Sequence, residues 1–147
     1  MNTFSKKSLE IISTAREEAQ QLLQNYIGGE HILLGLLHQK DSAAVDVIKS
    51  LGVEPDKLRE AVLFIINRPN RIAVRDLGFA PSGRRTMEFA EAEAERLGKQ
   101  THGTIPILLG LVLDNSGIAS AVLEEHGITI EKVRLGVRQV LNRRDDS

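Results

Sequence analysis

The chain has 147 residues, a net charge of −1, no cysteine and only 3% aromatic residues. Its length fits one compact domain, and its nearly balanced charge argues against nucleic-acid binding. The lack of cysteine excludes disulfides, thiol nucleophiles and zinc–thiolate sites. No apolar run approaches the ~20 residues of a membrane span, and nothing resembles a signal peptide. We therefore expect a protein of the cytoplasm, or of the plastid stroma in a plant or alga, with no membrane or nucleic-acid partner.

Four helices are predicted in the first half, because apolar residues recur there at helical spacing and no stretch alternates with the period of a strand. Ser5 suits the N-cap of the first helix, since its hydroxyl can accept a hydrogen bond from a free backbone N–H. Gly52 suits the residue after the third helix, and Pro55 suits the first turn of the fourth. The predicted ranges are 5–24, 30–38, 42–51 and 55–66.

The segment 67–78 is interpreted as a linker, because it contains Pro69, Gly78 and three arginines. Four further helices are predicted after it, and a short tail follows them. Their ranges are 81–97, 105–113, 116–126 and 129–142, with the tail at 143–147. The predicted fold class is all-α, without a substantial sheet.

The two halves are copies of one unit. An ungapped shift of 75 positions places Ile32–Leu36 on Ile107–Leu111 and Gly28 on Gly103. One register across the whole chain predicts two four-helix repeats that share a single domain. The predicted boundaries are 4–66 for repeat one and 79–142 for repeat two, within a domain that covers 1–147.

Glu30 and His31 stand at the start of the second predicted helix. A metal or acid/base site is not expected from them, because adjacent helical residues point in different directions. Repeat two has Ile105 and Pro106 at the same positions. Two interpretations of Glu30 stay open: it favours the helix dipole at a helix start, or it contacts a ligand.

The motifs of common catalytic sites do not occur in the sequence. There is no G-x-x-x-x-G-K-[ST] loop, so the chain should not hydrolyse ATP by itself. There is also no G-x-S-x-G, and no G-x-G-x-x-G follows a predicted strand. We expect no enzymatic activity, no cofactor and no bound metal.

Several segments form a recognisable set. Repeat one has Phe-Ser at 4–5, then Glu17–Ala19, then I-G-G-E-H-I-L-L-G-L-L at Ile27–Leu37, and repeat two keeps Ile107–Leu111. Together they resemble the double Clp-N repeat, the amino-terminal domain of Clp ATPases, and most closely the ClpC type. The resemblance implies a pseudo-twofold domain of eight helices. It also implies partners: substrate or adaptor proteins, which the domain passes to the Clp ATPase and protease machinery.

For ClpC-type domains the resemblance further implies one pocket for phosphorylated arginine in each repeat. A carboxylate suits the guanidinium, and free N–H groups at a helix start suit the phosphate. By position, the first pocket would use the Ser5 hydroxyl and the Glu30 carboxylate, with His31 beside them. The second pocket departs from the pattern, so we expect it to be apolar and unable to bind phosphoarginine. Its residues at the corresponding positions are Ala80, Ile105 and Pro106.

The resemblance also implies an apolar seam between the repeats, where Phe4, Phe79 and Arg84 are candidates for contact with a peptide or adaptor. Each phenylalanine could instead be a core or helix-staple residue. Two functions stay open: a module that recruits substrates or adaptors, or an accessory module that docks onto a Clp protease complex without binding substrate. The divergence of repeat two favours a stand-alone or specialised protein over the excised domain of a longer ATPase. We expect the domain to be a monomer.

Overall fold

The computed structural model of the protein describes residues 3–67, 78–79, 81–98 and 101–147. Of the predicted linker 67–78, only the first and last residues lie within these ranges. The helices are α1 (Lys6–Gln21), α2 (Gly29–His38), α3 (Ala43–Ser50), α4 (Pro55–Ile66), α5 (Pro81–Arg96), α6 (Thr104–Leu113), α7 (Ile118–Glu125) and α8 (Ile130–Leu141). Four strands of two residues each accompany them: β1 (Thr3–Phe4), β2 (Tyr26–Ile27), β3 (Gly78–Phe79) and β4 (Thr101–His102).

Local signals place most of the helix starts. Ser5 Oγ accepts a hydrogen bond from the Ser8 N–H at 3.1 Å, as an N-cap does. Pro55 occupies the first turn of α4, where its missing N–H costs nothing. Gly52 follows α3 with a φ of 81°, a conformation that favours glycine. The predicted all-α class is confirmed, and the described part of the chain contains the eight predicted helices, each boundary within three residues of the predicted one.

The short strands pair between the repeats and not within them. β1 lies parallel to β4, and β2 lies parallel to β3. β1 leads into α1 and β4 into α6, so the starts of these two helices are neighbours. In the same way, the β2–β3 pair makes the start of α2 a neighbour of the start of α5. In both pairs of neighbouring helix starts, one start therefore belongs to repeat one and the other to repeat two.

α2 and α6 form the centre of the core, and their repeated I-L-L-G-L segments are buried on every side. Gly35 lies so close to α1 that a Cβ on it would overlap the Ile11 carbonyl oxygen. Gly110 lies against the Thr86 carbonyl of α5 in the same way. The glycine is retained in both repeats because it lets two helix backbones approach each other.

An ion pair is also repeated. Glu18 of α1 accepts a hydrogen bond from Arg59 of α4 at 2.9 Å, and Glu93 of α5 accepts one from Arg134 of α8 at 2.7 Å. The carboxylates are buried, whereas the arginines are partly exposed. Each pair joins the first and last helices of its own repeat. The two repeats therefore have an equivalent polar contact as well as equivalent apolar segments.

Candidate functional site

The start of α2 is built around a buried, neutral histidine. His31 Nδ1 accepts a hydrogen bond from the Gly28 N–H at 3.0 Å, so the ring proton is on Nε2, which lies 2.6 Å from Gln24 Oε1. The Tyr26 ring meets the imidazole edge-to-face, with centroids 5.2 Å apart. His31 is fully buried, and burial lowers its pKa to about 4. This residue holds the loop before α2 in place.

Glu30 lies in the same turn, and its side chain is folded back over the helix start. A Cβ on Gly28 would overlap its Oε1 atom. The Tyr26 hydroxyl donates to Oε2 at 3.3 Å, and the backbone of Glu30 also hydrogen-bonds the carboxylate. Only 4% of Glu30 is exposed, and burial raises its pKa. An acidic group thus occupies the positive end of the α2 dipole, where it is favoured.

The other repeat completes this helix start. The Gly29 N–H donates to Ser82 Oγ, in the first turn of α5, at 3.2 Å. The Cα of Gly29 faces the Thr86 hydroxyl of α5 and Ala119 of α7, because a Cβ there would stand 3.5 and 3.6 Å from their nearest atoms. The surroundings of Gly29, the residue before Glu30, therefore include α5 and α7, which sequence reasoning within one repeat could not identify.

Ser5 is not near Glu30, which corrects the grouping expected from the sequence. Lys7 Nζ donates to the Asp41 carbonyl at 3.0 Å, so the start of α1 lies beside the end of α2. Glu30 lies at the other end of α2, and a helix of 10 residues is about 15 Å long. Ser5 caps α1, whereas Ser82 brings a hydroxyl from the other repeat to the start of α2.

At the start of α6, Ile105 is fully buried and Pro106 is buried as well. The backbone N–H groups of Thr104 and Ile105 donate to the carboxylate of Asp146, which comes from the C-terminal tail. Sequence reasoning missed Asp146, because position 146 lies beyond the repeated unit. The only signal for it in the sequence was that position 105, which corresponds to Glu30 of repeat one, is not acidic.

The remaining candidates are less constrained by the structure. Phe4 is half-buried in β1, and Arg84 is exposed on α5. Ala80 and the side chain of Phe79 lie outside the described residues. In the part of the chain that the structure describes, no group of three or more His, Cys, Asp or Glu side chains is arranged to hold a metal ion.

Equivalent clefts lie at the far ends of α2 and α6. The first has a volume of about 650 Å³ and lies between α2, α3 and the start of α4. The second has about 330 Å³ and lies between α6, α7 and the start of α8. Lys49 on the wall of the first corresponds to Glu124 on the wall of the second. The two repeats therefore offer concave surfaces of the same origin but different charge.

None of the described helices alone is long and apolar enough to cross a membrane. Among the residues that the structure describes, one pair of helices, α6 and α7, has the length and composition for it when taken together, and the two are bent by 92° relative to each other.

The family model described as the Clp repeat (R) N-terminal domain matches residues 3–112 and 78–147. The ATP-dependent Clp protease ATP-binding subunit ClpA homolog of Guillardia theta is 37% identical over 138 residues, which are 94% of this chain and 17% of that protein. The chloroplastic chaperone protein ClpC of Pisum sativum is 34% identical over 144 residues, which are 98% of this chain and 16% of that protein.

A solved structure supports the same relationship at the level of the fold. The N-terminal domain of the caseinolytic protease associated chaperone ClpD from Arabidopsis thaliana has a TM-score of 0.74 and 24% identity, covering 95% of this chain and 94% of that one. The chain spans less than a fifth of the length of the curated relatives it matches. Because the family model and the aligned relatives cover nearly every residue, this chain belongs to the Clp repeat N-terminal domain family.

Proposed function

We propose that the chain is a non-catalytic protein-binding module that recruits substrate or adaptor proteins to a Clp chaperone–protease machine, in the cytoplasm or the plastid stroma. The observation that carries this proposal is the alignment of almost the whole chain with the amino-terminal part of Clp ATP-binding subunits. The aligned part is 17% of the Guillardia theta protein. In this proposal the chain acts by binding other proteins and not by catalysis.

The finer proposal is one phosphoarginine-type site at the start of α2. The Glu30 carboxylate would pair with the guanidinium, and the neighbouring first turn of α5 would take the phosphate with the Ser82 hydroxyl. His31 would act as a positioning residue, because it holds Gly28 and the loop before α2. The cross-repeat hydrogen bond between Gly29 and Ser82 supports this arrangement over one that uses Ser5.

The acidity of Glu30 gives this site a characteristic pH dependence. Burial raises its pKa, and a guanidinium binds the ionised carboxylate. The affinity for phosphoarginine should therefore increase as the pH rises through the pKa of Glu30. An approaching cation would also favour the ionised form, so binding should release a proton at a pH near that value.

The test is a titration with phosphoarginine, followed by calorimetry and by ¹⁵N NMR of the amides at the start of α2. We expect one site, which Glu30→Gln abolishes and Ser82→Ala weakens. Ser5→Ala should leave the affinity unchanged, because that residue lies at the other end of α2. Glu91→Gln, which removes the same charge from an exposed position on α5, is the matched control. Weakening by Ser5→Ala but not by Ser82→Ala would contradict the cross-repeat site.

One observation favours a second function. Glu30 is only 4% exposed and is already held by Tyr26, which is the arrangement of a structural acid. In that case the module would dock onto a Clp complex without binding substrate, and the cleft at the end of α2 is a concave surface for such a contact. No phosphoarginine binding at millimolar concentration, together with capture of an assembled Clp ATPase by the chain, would favour this function.

A further inference from the structure

The start of α6 holds a carboxylate that comes from the far end of the chain. Asp146 Oδ1 accepts from the Thr104 N–H at 2.8 Å and from the Thr104 hydroxyl at 2.6 Å, and Oδ2 accepts from the Ile105 N–H at 2.7 Å. The carboxylate lies directly over Gly103, where a Cβ would overlap it. Three donors therefore converge on one acidic group, in the place where a helix start favours an anion.

The hydroxyl of Thr104 links this contact to repeat one. Thr104 is fully buried, and its Oγ1 accepts from the Ala44 N–H of α3 at 3.1 Å while it donates to Asp146. The hydroxyl is thus satisfied only when an acceptor occupies the position of the carboxylate. A buried donor without an acceptor is destabilising, so the site requires an acceptor.

Asp146 takes the place that Glu30 has in the other repeat. At the start of α2, the Glu30 carboxylate lies over Gly28. At the start of α6, position 105 is an isoleucine, and the Asp146 carboxylate lies over Gly103, the residue equivalent to Gly28. The acid that repeat two lacks within its own helix is supplied by the tail.

A second contact fastens the same tail to repeat one. Arg144 Nη1 lies 3.0 Å from Asp46 Oδ2, in the first turn of α3. Asp145 and Ser147 are exposed, so contacts and exposed residues alternate along the segment. The tail therefore lies across both repeats, with Arg144 on one and Asp146 on the other.

We propose that the segment 143–147 is an intramolecular ligand of repeat two, in which Asp146 closes the start of α6 to external anions. The second pocket is then a self-occupied anchor for the chain's own C-terminal segment, and an external anion reaches it only when that segment is displaced. This inference does not depend on phosphoarginine binding at Glu30.

The experiment follows the Thr104 and Ile105 amides by ¹⁵N NMR in the full chain, with and without millimolar inorganic phosphate at constant ionic strength. In the unmodified chain we expect both amides to be protected from hydrogen exchange and unresponsive to phosphate. In Asp146→Ala their exchange should accelerate about tenfold, the usual effect of losing a helix cap, and phosphate should shift both signals.

Asp145→Ala is the matched control, because it removes the same charge from the adjacent, exposed residue. Arg144→Ala is a second variant, which loosens the tail without altering α6 and should accelerate exchange at both amides to a smaller extent. The proposal is overturned if Asp146→Ala leaves exchange unchanged, if Asp145→Ala has the same effect as Asp146→Ala, or if phosphate already shifts both amides in the unmodified chain.

Discussion

Glu30 and His31 are adjacent residues whose pKa values burial moves in opposite directions. Burial disfavours the charged form of each, so it raises the pKa of Glu30 and lowers that of His31 to about 4. The hydrogen bonds of His31 agree with this direction, because a proton on Nδ1 would face the N–H of Gly28. The sequence alone placed the pair at a helix start but could not tell that both side chains are buried.

We predict that the free energy of unfolding decreases as the pH falls from 6.5, the ordinary pKa of His31, to about 4. In that range the unfolded chain takes up a proton on His31, whereas the folded chain keeps the imidazole neutral. The stabilisation due to neutral His31 is therefore complete above pH 6.5 and is lost as the pH falls to about 4. Its size is up to about 3 kcal/mol. Glu30 acts in the opposite direction, because its raised pKa lets the folded state keep a proton that the unfolded state has lost.

Urea denaturation at a series of pH values measures this effect. His31→Gln should flatten the pH dependence, because an amide can accept from Gly28 and donate to Gln24 without titrating. His38→Gln, at an exposed position, should leave it unchanged. An unaltered pH dependence in His31→Gln would show that His31 is not the titrating group.

At the scale of elements, the central helices require glycine because of helix packing, although helix propensity disfavours it. Propensity favours alanine over glycine inside a helix by about 1 kcal/mol. The backbones of α1 and α2 approach each other at Gly35, where any Cβ would overlap the Ile11 carbonyl oxygen. α5 and α6 have the same contact at Gly110. Packing and propensity therefore make opposite demands at these positions.

We predict that Gly35→Ala destabilises the domain by about 2 kcal/mol, because α1 must move away from α2 and the core around them must adjust. Gly110→Ala should have an effect of similar size through α5 and α6. Thermal unfolding followed by circular dichroism checks both variants. A higher melting temperature in either one would mean that propensity decides and that the close approach is not required.

At the scale of the whole molecule, the two repeats depend on each other. Their short strands pair crosswise, and the Gly29 N–H of repeat one finds its acceptor, Ser82, in repeat two. In the other direction, Ala44 of repeat one donates to Thr104 of repeat two. α2 also packs against helices of repeat two, and α6 packs against helices of repeat one. Neither half therefore has a complete core of its own.

We therefore predict that residues 1–67 and 78–147, produced as separate chains, do not fold cooperatively. Each should show low helicity and a melting curve without a sigmoidal transition, because its central helix would expose apolar surface and unsatisfied N–H groups. Mixing the two halves should restore helical circular dichroism. A sharp transition in either half alone would contradict the interdependence of the repeats.

Much of the fold was predictable because its signals are local. The spacing of apolar residues, Ser5 as a cap, Pro55 and Gly52 indicated the four helices of repeat one, and the duplication extended them to repeat two. The site was less predictable, because its hydrogen bonds join residues that are far apart in sequence. Ser82 lies 53 positions from Gly29, and Asp146 lies 42 from Thr104.

The sequence by itself determined the helices, the duplication, the family and the loss of an acidic residue at position 105, because each follows from spacing, capping or direct comparison of the two repeats. Only the tertiary structure decided which helix starts face each other, that Ser5 is remote from Glu30, and that Asp146 fills the place left by Ile105. Those outcomes depend on how the two repeats cross and on where the tail comes to lie. Helical periodicity describes each element separately and contains no information about either.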